Sequence, residues 1–411
     1  MPVIKIGTLS FKFSYVIAFA STAIALVHLL IVTLHRESKL KTEADSVVIK
    51  IGLFILLLCF GEISSLLMFN IQISDVFLKI IIGYVLMIGS LYLGFNCKKK
   101  IGVFVYWVFV INVIVNCILA LLGRSAPAIL TRLYSIALDT YMDGYYRNGG
   151  ILGNPNSSLL VMNLLLLFIV LLYKFKHIEL SFIKVAFLYV LPIVADIIVS
   201  SRGELLHSLL ILMYFTFYFI KRNNNIGKFF IRMGFILFIV ALTMILLWKP
   251  IVKRFPNIQQ SLERMTLIGE VMDTSADDAE LSSIARPFYK YSTFKERFKY
   301  SPLWGTGIDG NGSIDAFIKD TTGYHNDIFM ILGATGILGL AIWFFIEKKA
   351  IKKIGVCMLF PFLITGLSNT FIQSYFGTML YFFIIGYFLF NYAEKDCVPQ
   401  TCPSQKVVVY E

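Results

Sequence analysis

Runs of about 20 mostly apolar residues fill this chain, and that length is what one membrane-crossing helix requires. About eleven such runs can be laid along it, within two to four residues at each end: 11–34, 48–69, 75–95, 101–123, 157–173, 181–200, 204–220, 229–248, 327–346, 354–373 and 376–392. Segments of this kind have no place in a water-soluble domain. The composition agrees, with 58% hydrophobic and 15% charged residues in 411, against roughly 45–50% and 25% in soluble domains. An ordinary cytosolic enzyme is excluded. The expected fold class is an all-α integral membrane protein of about eleven transmembrane helices, or twelve with a further re-entrant or missed helix near the start.

The connections give an orientation. One set is basic: Arg36, Lys39 and Lys41; Lys98, Lys99 and Lys100; Lys174 and Lys176; Lys221, Arg222 and Lys228; Lys348, Lys349, Lys352 and Lys353. The alternate set, 70–74, 201–203 and 374–375, is nearly free of Lys and Arg. Alternation of this kind is the positive-inside signature. It puts the basic loops and the tail at 393–411 in the cytoplasm, and both long connections and the Ser201-Arg202-Gly203 turn outside. Lys5 and Lys12 disagree, since charge alone would put the N-terminus inside. The expected organisation is therefore N-terminal helices over 1–123 and a first outer loop over 124–156. Central helices over 157–248 follow, then a large outer loop over 249–326 and C-terminal helices over 327–392. Short amphipathic helices are expected within the large loop.

A formal net charge of +12 would suggest a polyanionic partner in a soluble protein. Here it follows from the basic loops, and no stretch carries the signals of a nucleic-acid module. The six cysteines, Cys59, Cys97, Cys117, Cys357, Cys397 and Cys402, lack metal-site spacing and fall in spans or on the cytoplasmic side. No disulfide framework is expected. The first apolar run is too long for a cleavable signal peptide.

At depth the ionisable candidates are Glu62, Asp196, His28 and His207, no two sharing a helix at close spacing. They read as hydrogen-bonded helix contacts; a proton-coupled transporter would show a denser set and broken helices. The outward face offers more. Arg202 stands in Ser200-Ser201-Arg202-Gly203-Glu204, where Gly203 would permit a tight turn and a helix start favours anions; a snorkelling anchor is the structural alternative. Arg147 precedes Gly149-Gly150 and Asn154-Pro155-Asn156, where Asn156 or Ser157 would cap the next helix; alone, Arg147 reads as a solvated charge. Arg286-Pro287 opens a stripe of Phe288, Tyr291, Phe294 and Phe298 at helical spacing, an amphipathic helix by pattern. The stripe reads as packing, with Arg286 at the helix mouth. Finally Gly305-Thr306-Gly307 precedes Tyr324-His325-Asn326-Asp327, and His325 is the histidine placed in an outer loop. Imidazole titrates near neutrality and suits a general base, although a lone histidine also caps or packs. Asp273, Asp277, Asp278 and Glu280 lack ligand spacing and read as solvated; no metal site is expected.

Taken in order, Ser-Arg-Gly at 201–203, Arg286, Pro302 to Gly307, His325-Asn326 and Gly336-Ile337-Leu338-Gly339 resemble the O-antigen ligase and polymerase superfamily. Arg147 to Asn156 looks like that family's Arg-x-x-Gly-x-x-Asn-Pro-Asn entry at slightly altered spacing. The resemblance runs over roughly residues 145–345. It implies a metal-independent, cofactor-free, inverting glycosyltransferase of the bacterial inner membrane with its active site facing the periplasm. The implied donor is an undecaprenyl-diphosphate-linked oligosaccharide; the acceptor is a lipid-linked repeat unit or lipid A–core, and a chain-length regulator would be a further partner. Carried over, Arg202 and Arg286 bind and stabilise the diphosphate, with Arg147 as a third cation. His325 activates the acceptor hydroxyl, and Asn156, Tyr324 and Asn326 contact substrate or fix the loop. The compact glycine turn and His-Asn-Asp segment favour the polymerase over the ligase. A flippase for lipid-linked sugars is the reading from another class; it too would need arginines, though not His325.

Overall fold

The computed structural model describes residues 3–6, 9–12, 41–69, 75–97, 101–122, 140–142, 145–147, 155–199, 201–222, 291–307, 326–366 and 375–396, with single positions 227, 231, 234 and 371. Nine helices are described: α1 Lys41–Phe69, α2 Asp75–Asn96, α3 Gly102–Leu122, α4 Pro155–Lys174, α5 Phe182–Val199, α6 Arg202–Arg222, α7 Tyr291–Tyr300, α8 Asp327–Lys353 and α9 Tyr375–Asp396. A 3-10 turn, Val356–Leu359, and a π turn, Pro361–Thr365, lie between α8 and α9. Six helices among the described residues are long and apolar enough to cross a membrane, and shorter described apolar runs occur in α2, α9 and the paired turns. The chain is an all-α membrane protein in its bulk.

Three departures from expectation are local. Phe11 and Lys12 belong to a hairpin, β1 Val3–Ile6 with β2 Leu9–Lys12, so the first apolar run does not start as helix. The rest of that run, and most of 229–248, lie outside the described residues. A second hairpin pairs β3 Thr140–Met142 with β4 Tyr145–Arg147. Asp143-Gly144 separates its strands, the dipeptide that two-residue hairpin links favour. The expected span 354–373 is likewise not one helix. Gly355, at φ 142°, breaks the chain after α8 and the two irregular turns follow.

Apolar side chains point both inward and outward, as a lipid solvent permits. In α1, Ile49, Leu53, Leu56, Phe60, Ile63 and Leu67 are exposed along one stripe at alternating spacings of four and three. That stripe is a lipid-facing surface. Helix α4 instead is apolar on every side and lies in the middle: from Leu164 to Tyr173 no residue exceeds 6% exposure. A helix apolar all round belongs inside a bundle. Helices α2 and α9 approach through glycines. A Cβ at Gly94 would meet Tyr387 N at 2.9 Å, and one at Gly386 would meet Phe95 N at 3.0 Å. Small residues that let backbones touch are a standard means of helix association in lipid.

The basic residues finish helices as well as marking a side. Arg222 Nη1 donates to Tyr173 O at 3.1 Å, closing the end of α4, and Lys174 Nζ donates to Ile354 O at 2.6 Å, closing the end of α8. Cations at helix C-termini are favoured by the orphan carbonyls there. Helices α4, α6 and α8 therefore end together, and they begin together at the opposite end.

Candidate functional site

Three helix starts gather at that end. Pro155 opens α4, where its missing N–H costs nothing, so Asn156 lies in the first turn rather than serving as the cap. Its Oδ1 accepts the Ser201 hydroxyl at 3.1 Å. Ser201 is the link between α5 and α6. Its N–H donates to Asp196 O at 3.1 Å and its carbonyl accepts from Leu205 N at 3.0 Å. Arg202 is the first residue of α6, and Gly203 is already helical rather than part of the turn. Asn326 caps α8: its Oδ1 accepts from Ile328 N at 2.9 Å and Phe329 N at 3.3 Å. Asp327, fully buried beside it, accepts from Phe371 N at 3.0 Å.

Below Arg202 lies a buried polar network. Glu204 Oε1 accepts the Thr365 hydroxyl at 2.9 Å; Oε2 accepts the Asn163 amide at 2.9 Å and faces His207 Nδ1 at 3.3 Å. Asn163 also donates to the Glu204 carbonyl at 3.0 Å. Ser208 Oγ stands 2.5 Å from both Asn163 Oδ1 and Asp196 Oδ2. All six side chains are buried. Asp196 Oδ1 and His207 Nε2 have no hydrogen-bond partner among the described residues.

Two of the ionisable groups expected at depth are thus joined in one network. Asp196 and His207 meet through Ser208, Asn163 and Glu204. The signal was available in part, because Glu204 and His207 are three apart and so share a helix face. Their reading as hydrogen-bonded helix contacts agrees with the geometry. Asn163 and Thr365 gave no such signal; only the packing of α4 and the π turn against α6 brings them in.

A second arrangement holds α8. Gly336 takes φ 62° and ψ −164°, which interrupts the helix near its middle and strips backbone partners on both sides of the break. Residues 302–307 replace them. Thr306 N donates to Gly333 O at 2.9 Å and Gly307 N to Ala334 O at 3.0 Å; Ile337 N and Leu338 N donate to Pro302 O and Leu303 O at 2.9 and 3.1 Å. Irregular backbone at membrane depth is tolerated where protein satisfies it in this way. The approach depends on glycine. Gly305 and Gly307 have φ 74° and 78°, and added Cβ atoms at Gly305, Gly307 and Gly336 would collide with Ala334, Glu62 and Leu303 respectively. One at Gly61 of α1 would meet Gly307 N at 2.8 Å. Ser65 donates to Thr306 O, and buried Arg297 Nη1 donates to Gly307 O at 3.2 Å.

Helix α7 falls within the expected amphipathic segment, and its aromatic stripe packs. Phe294 stacks on Phe329 with centroids 4.8 Å apart, and Tyr291 lies 5.5 Å from the same ring. Thus α7, the 302–307 segment and the first half of α8 form one packed unit. Sequence reasoning passed over Arg297 of α7, whose near-complete burial is unusual for an arginine.

Of the residues singled out from sequence, Arg286, Tyr324 and His325 lie outside the described residues. Arg147 is placed by backbone in β4 and Arg202 by backbone at the start of α6. Asn156 and Asn326 are placed with their side chains, one on the Ser201 side of Arg202 and the other as the cap of α8. Asp327 and Glu204 are linked through Thr365 and Gly366, since Gly366 lies against the Asp327 carboxylate and Thr365 bonds Glu204.

No curated protein and no solved structure matches the chain. Residues 187–344 match the family described as O-Antigen ligase. That stretch runs from α5 through α8, a little over a third of the chain. It contains Arg202, Glu204, Arg286, Arg297, the 302–307 segment, His325 and the break at Gly336. Over that stretch the chain is similar to the O-antigen ligase family, the same family that the order of its motifs resembles.

Proposed function

We propose that this protein is an inner-membrane glycosyltransferase that polymerises undecaprenyl-diphosphate-linked repeat units at the periplasmic face. The observation that carries the reading is the coincidence of the family match with three helix starts gathered at one end of the bundle. Helix N-termini favour anions through their free N–H groups and dipole, and the donor's diphosphate is anionic and membrane-bound. Periplasmic transfer needs such a donor, because activation must travel with the sugar.

In this mechanism Arg202 and Arg286 bind the diphosphate bidentately, with Arg147 contributing a third charge. The acceptor hydroxyl attacks the anomeric carbon from the face opposite the leaving group. The glycosidic C–O bond breaks as the new one forms, and undecaprenyl diphosphate departs with the bonding electron pair. His325 takes the hydroxyl proton. Configuration inverts, and the arginines stabilise the charge gained by the leaving group. Asn326 orders the start of α8 next to His325, while Tyr324 and Asn156 line the acceptor and donor sides. Metal ions have no role in this scheme.

The ligase reading is favoured by one observation, the description of the matched family. Its acceptor would be lipid A–core. The glycine turn at 305–307 does not choose between them, because its backbone serves the break in α8.

The test is a gel of surface lipopolysaccharide from a deletion strain complemented with wild-type or variant protein, run beside extracted lipid-linked glycan. Core with one repeat and no ladder identifies a polymerase. Bare core with long glycan on undecaprenyl diphosphate identifies a ligase, and bare core with short units held on the cytoplasmic side identifies a flippase. Arg202→Ala, Arg286→Lys and His325→Ala should each reproduce the deletion pattern. Wild-type glycan from all three would overturn the mechanism. Arg→Lys is informative because it retains charge and loses the planar fork.

A further inference from the structure

Glu204 sits two residues after Arg202 in the first turn of α6, buried together with every side chain that binds its carboxylate. Packing alone gives no reason for a carboxylate there. Removing such a group from water is unfavourable unless donors surround it, and an apolar side chain would fill the space. Here the donors come from different elements. Asn163 comes from α4, His207 from the next turn of α6 and Thr365 from the π turn, at 2.9, 3.3 and 2.9 Å. The helix dipole adds to their effect, since a negative charge in a first turn is favoured.

The other flank of Arg202 is held just as firmly. Ser201 is bonded through its N–H to α5, through its carbonyl to Leu205 and through its hydroxyl to Asn156 of α4. Arg202 therefore stands between two anchored neighbours, and both anchors include α4. A carboxylate that already holds three donors also offers less to a cation nearby, so it competes weakly with an anionic ligand for a guanidinium.

We infer that Glu204 is a positioning residue for Arg202: clamped by Asn163, His207 and Thr365, it sets the direction in which α6 begins and hence where Arg202 is presented to a diphosphate headgroup. The inference rests on the reading of Arg202 as a diphosphate ligand given under Proposed function. Neither Glu204 nor its partners touches the reacting atoms in this scheme; they act through Arg202.

The experiment uses the full-length protein in lipid nanodiscs and measures the binding of undecaprenyl diphosphate itself. Wild type is compared with Arg202→Ala, Glu204→Gln and the double variant. Each single change should weaken binding about ten-fold, and the double should lie within about two-fold of Arg202→Ala, because residues acting through one another are not additive. A purely structural role predicts instead the same factor in both backgrounds, and that outcome overturns the inference. So does unchanged binding in Glu204→Gln. If Arg202→Ala binds like wild type, the diphosphate reading of Arg202 itself fails and the inference falls with it, a result distinct from additivity. Thr365→Val removes one donor and serves if Glu204→Gln does not fold. It should weaken binding about three-fold, and by less than two-fold in the Arg202→Ala background; equal factors would overturn the inference as before.

Discussion

Two regions of the bundle solve one problem, unsatisfied polar groups inside a membrane protein, by opposite means. The break in α8 is held by backbone: four main-chain hydrogen bonds between residues 302–307 and the helix, two donated from each side, made possible by glycines at 305, 307 and 336. The network beneath Arg202 is held by side chains, with Glu204 receiving donors from α4, α6 and the π turn. A backbone lock has almost no tolerance for added atoms, whereas a side-chain network fails when a charge or a donor is removed. The lock therefore suits a segment that must keep one shape, and the network suits a place where one side chain must be aimed.

The comparison can be broken most directly at the lock. Gly336→Ala forces a Cβ into the Leu303 backbone at positive φ, and the expected loss is about 3 kcal/mol or more. Thermal unfolding of the detergent-solubilised protein measures it. Gly52→Ala is the control, because nothing lies within 4 Å of its added Cβ; it should be neutral or slightly stabilising. Equal melting of the two variants would mean that the 302–307 contacts do not hold the break.

Next in size is Glu204→Ala, which strands Asn163, His207 and Thr365 in a buried site and should cost about 2–3 kcal/mol. Glu204→Gln keeps the volume and an acceptor for Thr365, so it should cost about 1 kcal/mol. If the amide proves as damaging as the truncation, volume and a retained acceptor count for nothing at this position. Asn326→Ala then probes the start of α8 and should cost about 1 kcal/mol, largely recovered by Asn326→Asp or Asn326→Ser, which can cap. No recovery would show that Asn326 does something besides capping. The smallest effect belongs to Thr365→Val, about 0.6 kcal/mol, the usual value of one interhelical hydrogen bond in a membrane. A loss several times larger would make Thr365 the keystone of the network in place of Glu204.

Much of the fold was legible because helices in lipid need long apolar stretches and nothing else in the chain competes with that signal. Eight of the expected spans have a helical counterpart among the described residues, and the alternating basic loops coincide with helix ends that Arg222 and Lys174 close. The 354–373 run misled because hydropathy registers apolarity, not regularity, and Gly355 with its two irregular turns is as apolar as a helix. The connection from Asp196 to His207 was hidden because it passes through Asn163 of α4, an uncharged residue far away in sequence that joins Ser208 to Glu204.

The sequence by itself determined the class of molecule and the order of its motifs, since apolar run length, loop charge and the arrangement from Ser201 to Gly339 are all local in the chain. Tertiary structure alone decided what the glycines and buried polar groups are for. Gly305 and Gly307 carry no visible purpose until Gly336 breaks α8 beside them, and Glu204 is only a residue in a turn until α4 and the π turn bring their donors to it. The reason is physical: apolar transfer is a property of each residue and its neighbours, whereas satisfying a buried hydrogen bond needs a partner that only the folded chain can bring within 3 Å.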